Sequence, residues 1–160
     1  MLSDGRHGLA GRPFVSNVYY LRGAAGTGET PEKADGGAAG PIHVLFVDDD
    51  VAVREAIAEL LRLEGLEITE VNGGRAALEA LRRDETIAFL LTDLSMAEMD
   101  GIAVVHAARE IRPSLPAAIL TGYAAEADRV APTRLTIFHK PADPEPIARH
   151  IRRAVSGGPR

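Results

Sequence analysis

The chain has 160 residues, of which 46% are hydrophobic and 26% are charged, and its mean hydropathy is close to zero. This length holds one domain of ordinary size, and this balance excludes a membrane protein and a fully disordered chain. The chain has no cysteine, which excludes disulfide bonds and thiolate metal sites, and its net charge of −5 argues against DNA or RNA as a partner. We therefore expect a cytoplasmic globular domain that contacts neither nucleic acid nor membrane.

Residues 1–41 differ in composition from the rest of the chain. They hold nine of the sixteen glycines and equal numbers of acidic and basic side chains, which predicts a flexible Gly/Ala-rich leader without fixed structure. Residues 23–30 have the outline of a phosphate-binding loop, but Glu29 stands where such a loop needs a lysine, so a linker is favoured. We place the domain at residues 42–156 and a short C-terminal tail at residues 157–160.

From residue 42 onward, short apolar runs alternate with stretches whose apolar residues recur at helical spacing. The predicted strands span residues 42–48, 66–71, 87–93, 117–121 and 135–140. The predicted helices span residues 53–61, 74–83, 101–112, 124–130 and 144–156. This alternation predicts a parallel sheet, because parallel strands need crossover connections and right-handed crossovers place helices on both faces. The predicted fold is a doubly wound α/β domain with a five-stranded parallel sheet, flavodoxin-like, with strand order 2-1-3-4-5.

Charged and polar side chains stand where four of these strands end. Strand one ends in Asp48 and Asp49, strand three in Asp93, strand four in Thr121 and strand five in Lys140. Ligands of such sheets bind outside the carboxyl ends of the strands, and strands one and three are neighbours in this strand order. We therefore expect the three carboxylates to meet at one edge of the sheet, with Thr121 and Lys140 beside them.

Three carboxylates at the edge of an apolar sheet would repel one another unless a cation neutralised them, so the cluster predicts a divalent metal. Oxygen ligands suit Mg²⁺, with Mn²⁺ as an alternative. Lys140 is the only lysine after residue 41, and the chain uses arginine at every other Lys/Arg position there. A compact ammonium beside a metal site is what a reacting phosphoryl group requires, and Asp93 is the natural nucleophile for it.

Four segments at these strand ends carry a resemblance to a known family. They read VLFVDDD (residues 44–50), LLTDLSMAEMDG (90–101), ILTGYA (119–124) and HKP (139–141). In this order and spacing they resemble response-regulator receiver domains, the CheY-like domains of two-component signalling. The match covers the chain from residue 42 to about residue 155, and it is similar to receivers that stand alone or belong to hybrid histidine kinases.

The resemblance implies a metal site, a phosphorylation site and a switch. Asp93 matches the phosphorylated aspartate, Thr121 the switch hydroxyl, and Lys140 the lysine that pairs with the phosphoryl oxygens. The residues that match the family's metal ligands are Asp48, Asp49, Asp93 and, through its backbone carbonyl, Ser95. Asp50 is interpreted as a helix cap.

Three positions depart from the family's pattern. Ala97 replaces the proline that is usual in its loop, and Ala142 stands where an aromatic residue often follows the Lys-Pro pair. Ile137 occupies the place of the aromatic that rotates on activation, three residues before Lys140, and Phe138 is expected on the opposite face of the strand. Whether this chain keeps the threonine-aromatic switch is therefore open.

The resemblance implies a phosphoacceptor of a two-component or phosphorelay system and not an enzyme with a substrate of its own. It would take a phosphoryl group from a sensor histidine kinase or a histidine phosphotransfer protein, and it would catalyse only that transfer and its own dephosphorylation. No DNA-binding motif follows residue 155, so output by protein contact is expected. One such contact would be a homodimer through the fourth helix, the fifth strand and the last helix.

Two alternative functions stay open. A haloacid-dehalogenase-like phosphatase would use Asp48 as nucleophile and Asp50 as acid/base. Against it, Ala52 occupies the Thr/Val position of that motif, no further acidic motif follows Lys140, and Asp93 would have no role. A receiver-like interaction module that is never phosphorylated would be expected to lack the acceptor or one of the acidic residues, and all of them are present.

Overall fold

The computed structural model describes residues 40–122, 130, 133 and 135–157. The predicted leader up to residue 39, the predicted helix at 124–130 except for its last residue, and residues 158–160 of the tail lie outside this part of the chain. The strands described are β1 (His43–Val47), β2 (Glu67–Val71), β3 (Phe89–Asp93), β4 (Ala117–Thr121) and β5 (Thr136–His139). The helices described are α1 (Val51–Leu63), α2 (Gly74–Arg83), α3 (Gly101–Ile111) and α4 (Pro144–Ser156).

The five strands form one parallel sheet in the order β2-β1-β3-β4-β5. This confirms the predicted fold class and strand order. Every residue of β1, β3 and β4 is buried, as expected for the central strands of a parallel sheet that is covered on both faces. The predicted strand at 87–93 begins two residues too early. Ile87 is buried, but the pairing of β3 with β1 begins at Phe89. An apolar sequence pattern therefore indicates which residues are buried, and not which of them pair with a neighbouring strand.

Side chains of the sheet alternate between two apolar clusters. On one face Val44 and Phe46 pack with α1 and α4, and on the other face Leu45 and Val47 pack with α2 and α3. This arrangement leaves the carboxyl-terminal edge of the sheet for polar side chains. Among the helices of the described residues, none has the length and apolar character needed to cross a membrane.

The fifth strand divides its side chains in the same way. Ile137 packs into the cluster under α2 and α3, and Phe138 packs into the cluster under α1 and α4. This confirms that Phe138 faces away from the position at which the family carries its rotating aromatic. The ring of His150 on α4 contacts Phe138 edge to face, with 5.5 Å between ring centroids, and contacts Phe89 at 5.9 Å.

Stability should depend on pH through His150. Burial lowers the pKa of this imidazole, so the folded protein binds the proton less readily than the unfolded chain. Stability is then greatest above the ordinary histidine pKa of about 6.5 and falls as the pH drops below it. We expect the free energy of unfolding, measured by urea denaturation, to fall less steeply between about pH 7.5 and 5.5 in His150→Gln than in the wild type. His106→Gln, at an exposed position of α3, should keep the wild-type slope, and an unchanged slope in His150→Gln would contradict the prediction.

Two helices begin at aspartate caps that shape the loops around the carboxylates. The Asp50 side chain accepts a hydrogen bond from the backbone nitrogen of Val53 at 3.1 Å, which confirms its interpretation as a helix cap. Asp100 caps α3 in the same way, through a backbone amide of the first turn at 2.9 Å. Because α1 starts directly after Asp50, Asp48 and Asp49 lie in the short turn between β1 and α1.

Candidate functional site

Three carboxylates meet at the carboxyl-terminal edge of the sheet. Asp48 follows the last residue of β1, Asp49 comes next in the turn, and Asp93 ends the neighbouring strand β3. One oxygen from each carboxylate lies within 4.8 Å of the other two. Asp48 and Asp93 are buried, with 1% and 6% of their surface exposed, whereas Asp49 is exposed. The structure therefore brings together the acidic residues that the sequence placed at one edge.

Lys140 reaches this cluster from the end of β5. Its backbone nitrogen donates to the carbonyl oxygen of Thr121 at 2.8 Å, which continues the pairing of β5 with β4. Its Nζ donates to Asp93 Oδ1 at 2.6 Å and to Asp48 Oδ2 at 2.7 Å. The ammonium thus bridges the two buried carboxylates through short, charge-assisted hydrogen bonds.

Burial and charge act against each other at this site. Burial raises the pKa of Asp93, the charges of Asp48 and Asp49 add to that rise, and the hydrogen bond and charge of Lys140 oppose it. Burial alone would lower the pKa of Lys140, but its hydrogen bonds to Asp48 and Asp93 outweigh this effect and raise it, so the side chain stays an ammonium. Three carboxyl groups therefore meet at this edge, and one ammonium contacts two of them.

The backbone of the acidic pair is fixed from the side of α1. The Arg54 guanidinium donates to the carbonyl oxygen of Asp48 at 2.7 Å, and its Nε lies 3.7 Å from Glu70 Oε2 on β2. Arg62 donates to the other carboxylate oxygen of Glu70 at 2.7 Å. Arg54 was not among the predicted site residues, although an arginine among apolar residues on a helix that packs on the sheet is a signal for such a contact.

Two further predicted residues lie at the same edge. Thr121 is the last residue of β4, its side chain is buried, and its carbonyl pairs with Lys140. Ser95 is exposed in the loop between β3 and α3, two residues after Asp93. The residues predicted for the site therefore share one edge of the sheet, on strand ends and the loops that follow them.

The loop after Asp93 folds back on the strand that it leaves. The backbone nitrogen of Leu94 donates to the Leu120 carbonyl at 2.8 Å, and that of Gly101 donates to the Leu94 carbonyl at 2.9 Å. A Cβ at Gly101 would lie 2.2 Å from the carbonyl oxygen of Asp93, so a side chain does not fit here. The first residue of α3 is thereby packed directly against the backbone of Asp93.

The exposed member of the cluster, Asp49, borders an open cleft of about 600 Å³. Arg54 lines one side of this cleft, and residues 72–76 and 96–99 line the others. Asp49 Oδ2 accepts a hydrogen bond from the backbone nitrogen of Ala97 at 3.0 Å. The cluster is therefore reached from solvent on the side of Asp49.

Comparison with known proteins assigns the domain to a family. The sequence matches the response regulator receiver domain over residues 44–152, a range that includes the strand ends described above. The chain belongs to this family, so it contains the receiver domain of two-component response regulators. Receiver domains are signalling domains that bind Mg²⁺ at an acidic pocket and interact with histidine kinases or phosphotransfer proteins.

Individual relatives agree with this assignment. The chain is 36% identical over 102 residues to the response regulator receiver protein CpdR of Brucella abortus (strain 2308), a match that covers 62% of this chain and 84% of CpdR. It is 31% identical over 118 residues to the transcriptional regulatory protein GlrR of Escherichia coli (strain K12), which covers 72% of this chain and 26% of GlrR. The chain thus spans about a quarter of the length of that regulator.

Solved structures of receiver domains have the same fold. The receiver domain of the hybrid histidine kinase CckA matches with a TM-score of 0.59 and 32% identity, over 71% of this chain and 98% of that domain. A response regulator receiver protein from Pseudomonas putida matches with a TM-score of 0.64 and 27% identity, over 72% of this chain and 98% of its own. The matched part corresponds to the described domain in length.

Proposed function

We propose that this domain accepts a phosphoryl group on Asp93, in a Mg²⁺-dependent transfer from a sensor histidine kinase or a histidine phosphotransfer protein. The observation that carries the proposal is the Lys140 ammonium, which lies 2.6 Å from an oxygen of Asp93 and 2.7 Å from an oxygen of Asp48. A lysine held between a nucleophilic carboxylate and a metal-binding carboxylate is suited to the negative charge that a phosphoryl group brings.

The residues at the site fit a hard divalent cation. Its donors are oxygen atoms, and its three carboxyl groups outnumber the single ammonium of Lys140 that contacts them. The groups that would hold the cation are the carboxylates of Asp48, Asp49 and Asp93 and the backbone carbonyl of Ser95. When bound, Mg²⁺, or Mn²⁺ in its place, would balance the charge on the phosphoryl oxygens.

The side chains of this domain account for the transfer as follows. An ionised oxygen of Asp93 attacks the phosphorus, the bond between phosphorus and the donor's imidazole nitrogen breaks, and that nitrogen takes up a proton. The product is an acyl phosphate on Asp93. The charge and hydrogen bond of Lys140 oppose the rise that burial causes in the pKa of Asp93, which favours the ionised nucleophile, and the ammonium then pairs with a phosphoryl oxygen.

Output by protein contact is part of the proposal. Phosphorylation of Asp93 would act through Thr121 and Lys140 on the surface formed by β5 and α4, and would change the affinity of that surface for a protein partner or a second copy of the chain. Residue 137 is an isoleucine that packs into the apolar cluster under α2 and α3. No aromatic side chain is therefore present at this position to transmit the change. We propose a cytoplasmic protein without a nucleic-acid partner, with its receiver at residues 42–156.

The phosphatase alternative is disfavoured by the contacts of Asp50. Its carboxylate accepts the backbone hydrogen bond that caps α1, whereas Asp93 and Asp48 are the carboxylates that Lys140 contacts. An acid/base at position 50 would have to give up this cap. The alternative of an interaction module that is never phosphorylated is distinguished from the proposal by the following experiment.

Intact mass spectrometry after incubation with Mg²⁺ and a small acyl phosphate tests the proposal. We expect one phosphoryl adduct on the wild type, no adduct without Mg²⁺, and no adduct on Asp93→Asn. Asp50→Asn is the matched control, because it neutralises a neighbouring carboxylate that caps a helix, and it should keep the adduct. Folded wild type without an adduct, or an adduct of equal yield on Asp93→Asn, would contradict the proposal.

A further inference from the structure

Asp49 is tied to the loop that follows Asp93. Its Oδ2 accepts a hydrogen bond at 3.0 Å from the backbone nitrogen of Ala97, a residue 48 positions further along the chain. Asp49 lies in the turn between β1 and α1, and Ala97 lies in the loop between β3 and α3. The contact therefore joins the two loops that border the carboxylate cluster.

This hydrogen bond needs a residue other than proline at position 97. Proline has no backbone N–H, so it could not donate to Asp49. The resemblance to receiver domains gives proline as the usual residue of this position, whereas this chain has alanine. The residue is exposed and its methyl group is small, so the main chain of Ala97 is what the carboxylate contacts.

The contact orients Asp49, the carboxylate of the cluster that is exposed to solvent. Asp48 and Asp93 are buried and Lys140 binds both, whereas Asp49 is exposed. An exposed side chain loses rotamer freedom when a ligand fixes it, and a hydrogen bond that orients it beforehand reduces that loss. A carboxylate has about four lone-pair positions on its two oxygens, so one bond from an amide leaves room for a cation.

We propose that Ala97 is a positioning residue whose backbone N–H orients Asp49 for a divalent cation. The proposal rests on the proposed function, because it requires that the cluster binds Mg²⁺. It assigns a role to the departure from proline at position 97. The Ala97 side chain takes no part in it.

Isothermal titration of the full chain with Mg²⁺ tests the proposal in Ala97→Pro and Ala97→Ser. The first variant removes the N–H and the second keeps it, so the pair separates the hydrogen bond from the side chain. We expect the dissociation constant for Mg²⁺ to rise about threefold to tenfold in Ala97→Pro and to change less than about twofold in Ala97→Ser. Thermal unfolding without Mg²⁺ checks that both variants are folded.

Each outcome decides the proposal. Equal affinity of the wild type and Ala97→Pro, or an equal loss in Ala97→Ser, would overturn it and leave the proposed function standing. A folded wild type that binds no Mg²⁺ would overturn both. If Ala97→Pro does not fold, hydrogen exchange replaces it: the Ala97 amide should be protected in the wild type and lose that protection in Asp49→Ala, and an unprotected amide in the wild type would overturn the proposal.

Discussion

Replacement of Lys140 by methionine is expected to destabilise the domain and to abolish phosphorylation of Asp93. Methionine keeps the length of the side chain but leaves Asp48 and Asp93, both buried, without the ammonium that bridges them. Loss of one partner from a buried ion pair costs about 3–5 kcal/mol. Because a fifth of the Lys140 side chain is exposed, we expect a loss of about 2–4 kcal/mol in the free energy of unfolding, measured by urea denaturation at neutral pH.

Two comparisons separate the charge of Lys140 from its shape. Lys140→Arg keeps the positive charge, so its stability should stay close to that of the wild type, but its planar fork should support phosphorylation poorly. Mg²⁺ should restore part of the stability of Lys140→Met, because the cation would face carboxylates that no longer have an ammonium between them. A Lys140→Met variant as stable as the wild type would show that the bridge contributes nothing to the fold.

Gly101→Ala should impair both stability and phosphorylation, although it adds only a methyl group. That group would lie 2.2 Å from the carbonyl oxygen of Asp93, a distance that forces the backbone of Asp93 or the start of α3 to move. Overpacking of this kind costs about 1–3 kcal/mol, and a displacement of about 1 Å at a reacting group can reduce its rate on the order of a hundredfold. Urea denaturation and the rate of adduct formation measure the two effects.

Gly73→Ala is the matched control for this prediction. Gly73 precedes α2 in extended backbone that other residues adopt, and a Cβ there would meet no atom within 4 Å. The free energy of unfolding of this variant should therefore match that of the wild type, and its rate of adduct formation should stay within about twofold of the wild-type rate. If the two glycine variants behaved alike, the close approach of Gly101 to Asp93 would have no consequence for the site.

The sequence contains most of the information about the fold. Strands such as 117–121 are apolar up to their last residue, helices such as 144–156 have apolar residues at four-residue intervals, and together they predict a covered parallel sheet. The same order predicts that Asp48, Asp93 and Lys140 meet, because the carboxyl ends of parallel strands share one edge. Strand ends were less predictable, since apolar residues such as Ile87 are buried without pairing.

The supporting contacts of the site could not be predicted in the same way. Arg54 reaches the Asp48 carbonyl only because α1 starts directly after Asp50, and the direction of a long side chain depends on packing. The hydrogen bond from Ala97 depends on the path of a loop, which has no periodic pattern. The close approach of Gly101 likewise follows from how the loop folds back, so it was visible only in the structure.

The measurement that tests the central claim most directly is the location of the phosphoryl group. After reaction with Mg²⁺ and a small acyl phosphate, reduction with borohydride converts an aspartyl phosphate to homoserine, which peptide mass spectrometry assigns to one residue. The arrangement around Lys140 predicts homoserine at position 93 and at no other aspartate. Homoserine at position 48 or 49, or none in a folded and phosphorylated protein, would contradict the assignment of Asp93 as the phosphoacceptor.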